Sequence, residues 1–411
     1  MTPLIPAACN RPDNDPIFAL NAEAMRRAAA GESIVNATLG ALMDDDGRLS
    51  LLPSVTEALA QVPALRAAAY APIAGSPPFL QAVIHDVFGA SALAAQTVAA
   101  ATPGGSGALA LAIQSFLEPG QALLTTDFHW GPYQTMATQA GRGLETFGMF
   151  AANGGFATAA FAAALQRQVE RQGRALVFLN SPCHNPTGYS LDAAEWRAVA
   201  AAVRSAGERA PVTLLVDLAY SRFAAASADW VTAIAPVLDT ATLLVAWSAS
   251  KSFAQYGARI GAVLATHRDP EQQQRMRAAF SFGCRGTWSN CNHLGQIAIT
   301  GLLSDAAMRA RADQDRARLI GLLHERVAAW NAAAAAAGLA YPRYEGGFFV
   351  SVFADDAEAA AARAREQGVF VVPVRGDGRG ALRVALCSTP VAQVARVVAT
   401  LARAIEATTR R

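Results

Sequence analysis

Five short apolar runs, separated by helix-like or turn-rich segments, occupy the middle of the chain. They are QALLTTD (121–127), RALVFLN (174–180), PVTLLVD (211–217), TLLVAWS (242–248) and IGAVLAT (260–266). Continuous apolar runs between helices are typical of strands that are buried on both faces of a largely parallel sheet. With 53% hydrophobic residues, the 411-residue chain can bury large cores. The pattern therefore predicts an α/β domain with helices on both sides of the sheet.

The pattern changes after about residue 305. A long charged helical segment is followed by three strand candidates, GGFFVSVF, FVVPV and ALRVALC, and by a terminal helix. This order predicts a smaller α+β domain that N-terminal residues also join. Two alanine-rich stretches, 159–172 and 330–338, are predicted as helices because alanine is the best helix former. We divide the chain into an N-terminal arm with part of the small domain (1–48), a large domain (49–305) and a C-terminal small domain (306–411).

Composition excludes several classes of partner. The net charge of +2 and the absence of a basic cluster argue against nucleic-acid binding. The five cysteines are scattered and lack metal-ligand spacing, which predicts neither disulfides nor a metal site and favours a reducing compartment. The N-terminus lacks the pattern of a signal peptide, and no apolar stretch is long enough to span a membrane. We expect a cytoplasmic protein whose partners are small molecules.

Unusual polar residues collect where the predicted strands end, which is where open α/β sheets bind ligands. Gly104, Gly105 and Ser106 stand directly before a helical pattern, where free N–H groups can hold a phosphate, although such turns are often only turns. Asp217 closes one apolar strand, either as an N-cap or as a buried acid that needs a partner. Lys251 follows the next strand, and a solvated loop lysine is the alternative reading.

Taken together, these residues suit one kind of ligand. Pyridoxal phosphate needs a lysine amine to form a Schiff base with its aldehyde and an acid to keep its ring nitrogen protonated. Its phosphate needs N–H, hydroxyl and arginine donors, and Arg259 lies eight residues after the lysine. The sequence therefore predicts a pyridoxal-phosphate site.

The chain resembles the fold type I pyridoxal-phosphate aminotransferases, in the aspartate/aromatic aminotransferase group. The resemblance runs nearly end to end, and its motifs include DPIFALN (15–21), NATLGALMDDDG (36–47), YAPIAGSPPFLQAV (70–83), TPGGSGAL (102–109) and SPCHNPTG (181–188). It implies a large domain with a mostly parallel seven-stranded sheet between helices, a smaller α+β domain, and a homodimer with shared active sites. It also implies a cis bond before Pro182 or Pro186.

The resemblance assigns a role to each matching position. It implies that the phosphate is held by Gly104, Gly105, Ser106, Ser248, Arg259 and, from the partner subunit, the residue at Tyr70. Around the cofactor ring, it implies stacking by Trp130, hydrogen bonds to the ring hydroxyl from Asn185 and Tyr220, an ion pair to the ring nitrogen from Asp217, and covalent attachment at Lys251. On the substrate side, it implies close approach at Gly40 and binding of the α-carboxylate by Arg383, with Asn185 nearby.

Substrate choice depends on a segment where the chain departs from the family pattern. CRGTWSNCNHLG (284–295) is similar to the family segment R-x-x-Y-S-N-P-P, which implies that Arg285 reaches across the dimer to a distal carboxylate. Trp288, Cys291 and Asn292 replace a tyrosine and two prolines, so a surface arginine in a loop is the alternative.

The expected activity is transfer of an amino group between an aspartate-like or aromatic L-amino acid and 2-oxoglutarate, in two half-reactions. One alternative is a C–S lyase or another α-carbon enzyme that uses the same cofactor. A second is a non-catalytic ligand-sensing module, although residues 1–30 are too few for the DNA-binding domain that such modules commonly carry. His129, His184 and His293 are interpreted as structural hydrogen-bonding groups.

Overall fold

The computed structural model describes residues 2–9, 11–12, 15–224, 229–376 and 378–409. The strands are β1 (Val35–Asn36), β2 (Thr97–Pro103), β3 (Ala122–Thr126), β4 (Gly143–Phe147), β5 (Ala175–Asn180), β6 (Val212–Asp217), β7 (Thr242–Ser248), β8 (Ile260–Thr266), β9 (Phe349–Ala354), β10 (Val369–Phe370), β11 (Val372–Gly376) and β12 (Arg379–Ala385).

The helices alternate with these strands along the chain. They are α1 (Pro6–Cys9), α2 (Pro16–Ala29), α3 (Pro53–Ala60), α4 (Ala64–Ala68), α5 (Pro77–Phe88), α6 (Gly104–Phe116), α7 (Pro132–Gln139), α8 (Thr158–Gln172), α9 (Ala193–Gly207), α10 (Trp230–Ile234), α11 (Ala249–Ser252), α12 (Pro270–Thr287), α13 (His293–Ser304), α14 (Ala306–Ala336), α15 (Ala357–Glu366) and α16 (Val391–Glu406).

The large sheet has seven strands in the order β2-β8-β7-β6-β5-β3-β4. Strand β8 runs antiparallel to both of its neighbours, and the other pairs are parallel. The five predicted apolar runs form β3, β5, β6, β7 and β8. Two further strands, β2 and β4, were not predicted: TVAAATP is rich in alanine, and GLETF is only partly buried at the edge of the sheet. The predicted fold class is confirmed.

Both faces of this sheet are buried in apolar cores, which explains the unbroken apolar runs. In β7, Leu243 and Val245 face the larger core, whereas Leu244 and Ala246 face the smaller one. Alternate residues of a strand point to opposite faces, so a strand that is covered on both sides must be apolar at every position. The helices supply that cover on each side.

The C-terminal part contains a three-stranded antiparallel sheet in the order β11-β12-β9. Strand β1 pairs in parallel with β10, with Val35 opposite Val369, so N-terminal residues do join this part. The alanine-rich stretch 330–338 is the last part of the 31-residue helix α14 and does not form a separate helix. The domain boundaries at residues 48 and 305 stay a prediction.

The sheet brings several polar strand ends to one edge. Asn180, the last residue of β5, lies opposite Asp217 in β6, and Ser248 in β7 lies opposite Gly261 in β8. Because parallel strands end at the same edge, residues from distant parts of the chain meet there. Within the described ranges, no helix is both long and apolar enough to cross a membrane.

Candidate active site

A cavity of about 170 Å³ lies at this edge of the sheet. Nine of the predicted site residues line it: Gly105, Ser106, Trp130, Asn185, Asp217, Tyr220, Ser248, Lys251 and Arg259. A larger hollow of about 540 Å³, beside residues 148–154, contains none of the predicted residues. The chemistry of the lining, rather than its volume, therefore marks the site.

Asp217 is a buried carboxylate with two donors. One oxygen, Oδ1, accepts a hydrogen bond from the Ala219 N–H at 3.1 Å, which is the local cap that the sequence left open. The other, Oδ2, accepts from the Tyr133 hydroxyl at 2.7 Å. Burial raises the pKa of Asp217, while the Tyr133 hydroxyl, the Ala219 N–H and the Lys251 ammonium act in the opposite direction. The acid is thus held in a site that suits a cationic ligand.

Lys251 is the only lysine in the sequence. It follows β7 in the short helix α11, and its Nζ lies 5.3 Å from the centroid of the Tyr220 ring. Burial lowers the pKa of Lys251, the Asp217 charge raises it and the Arg259 charge lowers it, so the net effect favours the neutral amine. A neutral amine is the form that attacks a carbonyl carbon.

The glycine-rich turn (residues 104–106) forms the first turn of α6, whereas the sequence placed it before the helix. A side chain at Gly104, where φ is +69°, would overlap the guanidinium of Arg259. Arg259 donates from Nη1 to the Ser250 hydroxyl at 3.3 Å and to the Tyr256 carbonyl at 2.9 Å. Among the described residues it pairs with no carboxylate. Free helix N–H groups beside an unpaired arginine are suited to a phosphate.

Asn185 and Tyr220 close another wall of the cavity. The Asn185 amide donates to the Tyr220 hydroxyl at 3.5 Å, and the Asn185 N–H donates to Asn180 Oδ1 at 2.7 Å. Both the Ser181–Pro182 and the Asn185–Pro186 bonds are cis, whereas the sequence predicted one or the other. The two polar groups that were expected near a ring hydroxyl therefore point into the same space.

Arg383 is buried beside the cavity without an anionic partner. Its Nη2 donates to the Thr38 carbonyl at 2.6 Å and its Nη1 to Asn185 Oδ1 at 3.5 Å, while its Nε has no hydrogen-bond partner among the described groups. Burial lowers the pKa of Arg383. A buried guanidinium without a counter-charge is costly, so the arrangement suits a ligand carboxylate.

Three predicted residues lie apart from the cavity lining. A Cβ at Gly40 would lie 2.5 Å from Cζ of Phe349, the ring against which the Arg383 guanidinium packs. Tyr70 is 90% exposed. Arg285, expected in a loop, lies in the last turn of α12, exposed, and donates to the Ser289 hydroxyl at 2.8 Å. The one chain by itself therefore gives neither Tyr70 nor Arg285 a contact with the site.

Four site residues were missed from the sequence: Tyr133, Asn180, Thr38 and Phe349. Asn180 closes the apolar run RALVFLN, so the strand-end reasoning could have found it. The other three carried no such signal. The histidines without an assigned role each hydrogen-bond to neighbouring backbone or threonine groups, as expected: His129, His184 and His293.

The comparison with protein families decides the identity. Residues 33–401 match the family model described as aminotransferase class I and II. The chain belongs to this family. The resemblance predicted from the motifs is thereby confirmed.

Relatives of this aminotransferase carry names within one group of activities. The tyrosine aminotransferase of Klebsiella pneumoniae is 29% identical, over 88% of this chain and 91% of that one. The aromatic-amino-acid aminotransferase of Pseudomonas aeruginosa is 29% identical over 51% of each chain. An aminotransferase structure from Anaerococcus prevotii has a TM-score of 0.91 at 30% identity, covering 98% of this chain and 100% of that one.

Pyridoxal phosphate is the cofactor of this family, and an aromatic-amino-acid aminotransferase from Burkholderia pseudomallei is covalently bound to it. That structure has a TM-score of 0.79 at 24% identity, covering 97% of this chain and 98% of that one. The cavity of the present aminotransferase fits the cofactor, because one amine, one buried acid and one anion-binding turn line the same space. The enzyme is therefore a pyridoxal-phosphate-dependent transaminase that acts on amino acids and oxo acids.

Proposed function

We propose that this aminotransferase transfers the amino group between an acidic or aromatic L-amino acid and 2-oxoglutarate, with Lys251 as the group that holds the cofactor and moves the proton. The observation that carries the proposal is the pairing of the sole lysine with the buried Asp217 around one cavity. The names of the relatives, which include tyrosine, aspartate and aromatic-amino-acid aminotransferases, support the substrate range.

When bound, pyridoxal phosphate supplies an aldehyde for the substrate amine and a ring that accepts electrons from the α-carbon. Asp217 supports that role by holding a positive charge at the ring nitrogen. The amide of Asn185 and the hydroxyl of Tyr220 donate to a phenolate oxygen, and Trp130 covers one face of the ring. The glycine-rich turn, Ser248 and Arg259 anchor the phosphate.

Lys251 carries the proton step in this proposal. Once the substrate amine has taken its place on the cofactor, the freed Nζ remains tethered at the site, within reach of the substrate α-carbon. A lowered pKa keeps a large fraction of that amine neutral, so it can accept the α-proton and then deliver it to the neighbouring carbon. The nearby Asp217 charge limits how far the pKa falls.

Arg383 binds the substrate α-carboxylate. A carboxylate would pair with the guanidinium and satisfy its free Nε, which removes the cost of a buried cation without a counter-charge. The contact with Asn185 places this carboxylate next to the ring-hydroxyl end of the cofactor. Close packing at Gly40 keeps the approach to this arginine narrow.

The covalent role of Lys251 can be tested without ambiguity, because the chain has no other ε-amine. Borohydride reduction of the holoenzyme should fix one cofactor per chain, and peptide mapping should place it at residue 251. We expect Lys251→Ala to lose the imine absorbance and to lower kcat by about 10³-fold or more. Lys251→Arg, which keeps the charge but not the chemistry, serves as the control. Turnover near the wild-type rate in either variant would contradict the proposal.

The acidic substrate range rests on Arg285, which has a hydroxyl but no carboxylate partner among the described residues. We expect Arg285→Ala to raise the KM for aspartate about tenfold or more while changing the KM for phenylalanine little, because only the former has a distal carboxylate. Arg277→Ala, another exposed arginine of α12, is the matched control. Equal effects on the two substrates would remove Arg285 from the substrate site.

A homodimer with shared active sites is part of the same proposal. Three large side chains, Leu65, Tyr70 and Phe282, are 84–90% exposed in the single chain. Exposed apolar side chains of this size favour burial by a partner, and Tyr70 is the position implied to reach the other subunit's phosphate. A cytoplasmic location is proposed as well, supported by the five free cysteines.

A further inference from the structure

Tyr133 is a buried tyrosine whose hydroxyl faces the acid of the site. It stands near the start of α7 and is 1% exposed. Its Oη donates to Asp217 Oδ2 at 2.7 Å, and no other hydrogen-bond partner of this hydroxyl is found among the described residues. Burial, and then the Asp217 charge, raise the pKa of Tyr133 well above its usual value, so the hydroxyl keeps its proton.

The ring that carries this hydroxyl is fixed on three sides. Phe178 of β5 packs edge-on at 5.3 Å between centroids, Trp130 packs edge-on at 5.8 Å, and His129 stacks at 6.4 Å. Aromatic pairs of this geometry restrict the ring to one orientation. The donor is therefore directed at the carboxylate before any ligand binds.

Asp217 needs such a donor because burial opposes its charge. An ionised carboxylate has about four acceptor positions, and the Tyr133 and Ala219 donors occupy two of them, one on each oxygen. Donors to the charged form favour it over the protonated acid. The remaining acceptor positions stay available for a ligand in the cavity.

We propose that Tyr133 is a positioning residue for the transamination reaction, which holds Asp217 ionised and oriented towards the ring nitrogen of the cofactor. The same ring supports Trp130, so one turn of chain links the stacking aromatic with the partner of the acid. The inference rests on the proposed role of Asp217. The other titratable or charged groups around this pair are His129, Tyr220 and Lys251.

The test compares two tyrosine-to-phenylalanine variants that each remove one buried hydroxyl. Tyr133→Phe deletes the donor to Asp217, whereas Tyr189→Phe deletes a similar bond to Glu195, 2.5 Å long and outside the cavity. Cofactor dissociation constants are measured by titrating the cofactor-free protein, and kcat, KM and bound-cofactor absorbance are followed against pH. Thermal unfolding of the cofactor-free proteins reports the structural cost of each change.

We expect Tyr133→Phe to weaken cofactor binding and lower kcat by about 10- to 100-fold each, the range for a hydrogen bond to a charged group. The KM for the amino acid should change little, and the acid limb of the kcat profile should move to higher pH, because the Asp217 carboxylate has lost a donor. Tyr189→Phe should leave affinity and pH profile unchanged, whatever its effect on thermal unfolding. Wild-type affinity and pH profile in Tyr133→Phe, or equal shifts in both variants, would overturn the proposal.

A double-mutant cycle with Asp217→Asn separates this proposal from the proposed function. If Asp217→Asn binds cofactor like the wild type, the assigned role of the acid is wrong. If Asp217→Asn is defective but Tyr133→Phe is not, only the role of Tyr133 is wrong. We expect Tyr133→Phe to have a strong effect in the wild-type background and little added effect in the Asp217→Asn background, since the donor then has no charge to hold.

Discussion

Among the residues of the site, the buried cations lack the counter-charges that buried structural cations have. Arg326, which is fully buried, donates to Asp45 Oδ1 and to the Met43 and Cys387 carbonyls, at 2.6–2.8 Å. Arg383, which is equally removed from solvent, donates only to neutral oxygens and leaves one donor without a partner. Because a buried guanidinium is stable only when it is paired, the difference marks Arg383 as a group that waits for an anion.

His184 gives a prediction for pH dependence. Burial, and then the charge of His129, lower the pKa of His184 from 6.5 to about 3. The unfolded chain therefore takes up a proton near pH 6.5 that the folded protein refuses, so the stability contributed by this residue is full above pH 6.5 and is lost as pH falls towards 3. The cost reaches up to about 5 kcal/mol over that window.

We expect the urea midpoint of the cofactor-free enzyme to fall across this window, and His184→Gln to remove much of the slope. His85→Gln, at an exposed position on α5, is the control and should keep the wild-type slope. A His184→Gln variant with the same slope as the wild type would show that other groups set the acid limit.

Among the elements of the fold, strand β8 fixes the height of the glycine-rich turn. Gly261 lies between Thr102 of β2 and Ser248 of β7, and a Cβ there would lie 2.6 Å from the carbonyl oxygen of Gly104 and 2.7 Å from its Cα. The obstacle is backbone, which cannot rotate away as a side chain can. The absence of a side chain in the strand is therefore what lets the first turn of α6 reach the cavity.

Gly261→Ala should consequently displace the turn. We expect a loss of stability of about 1–3 kcal/mol from overpacking, together with weaker binding of the cofactor, measured by thermal unfolding and by cofactor titration. The matched variant is Gly321→Ala, at an exposed position within α14 where a Cβ meets open space. It should stabilise the protein by about 0.5–1 kcal/mol and leave cofactor affinity unchanged. Normal affinity in Gly261→Ala would mean that the turn does not depend on β8.

For the whole molecule, the single chain lacks contacts that the proposed dimer would supply. Tyr70 is 90% exposed and Arg285 is exposed, so neither belongs to the cavity of its own chain. A residue that acts across an interface must leave its own subunit exposed in this way. The distinction between action within one chain and action across two chains is open to direct experiment.

Complementation tests the shared site. Tyr70→Ala and Lys251→Ala should each be strongly impaired, but a mixture that exchanges subunits should regain activity towards one quarter of the wild-type value. The reason is that a hybrid dimer contains one site with both native residues, the lysine from one chain and Tyr70 from the other, and half of a random mixture is hybrid. Co-expression with two affinity tags isolates the hybrid and measures its activity directly. No recovery in the isolated hybrid would exclude action of Tyr70 across the interface.

The sequence by itself determined which segments are strands and which polar residues stand at their ends, because burial on both faces leaves an unbroken apolar run and any polar residue next to it is conspicuous. It also held a signal that was not used: Lys251 is the only lysine among 34 lysines and arginines. Only the tertiary structure decided which distant groups meet. The donor to Asp217 comes from 84 residues away, and the carbonyl that holds Arg383 comes from 345 residues away. Local periodicity records how a segment is buried, but it does not record which partner packing brings to it.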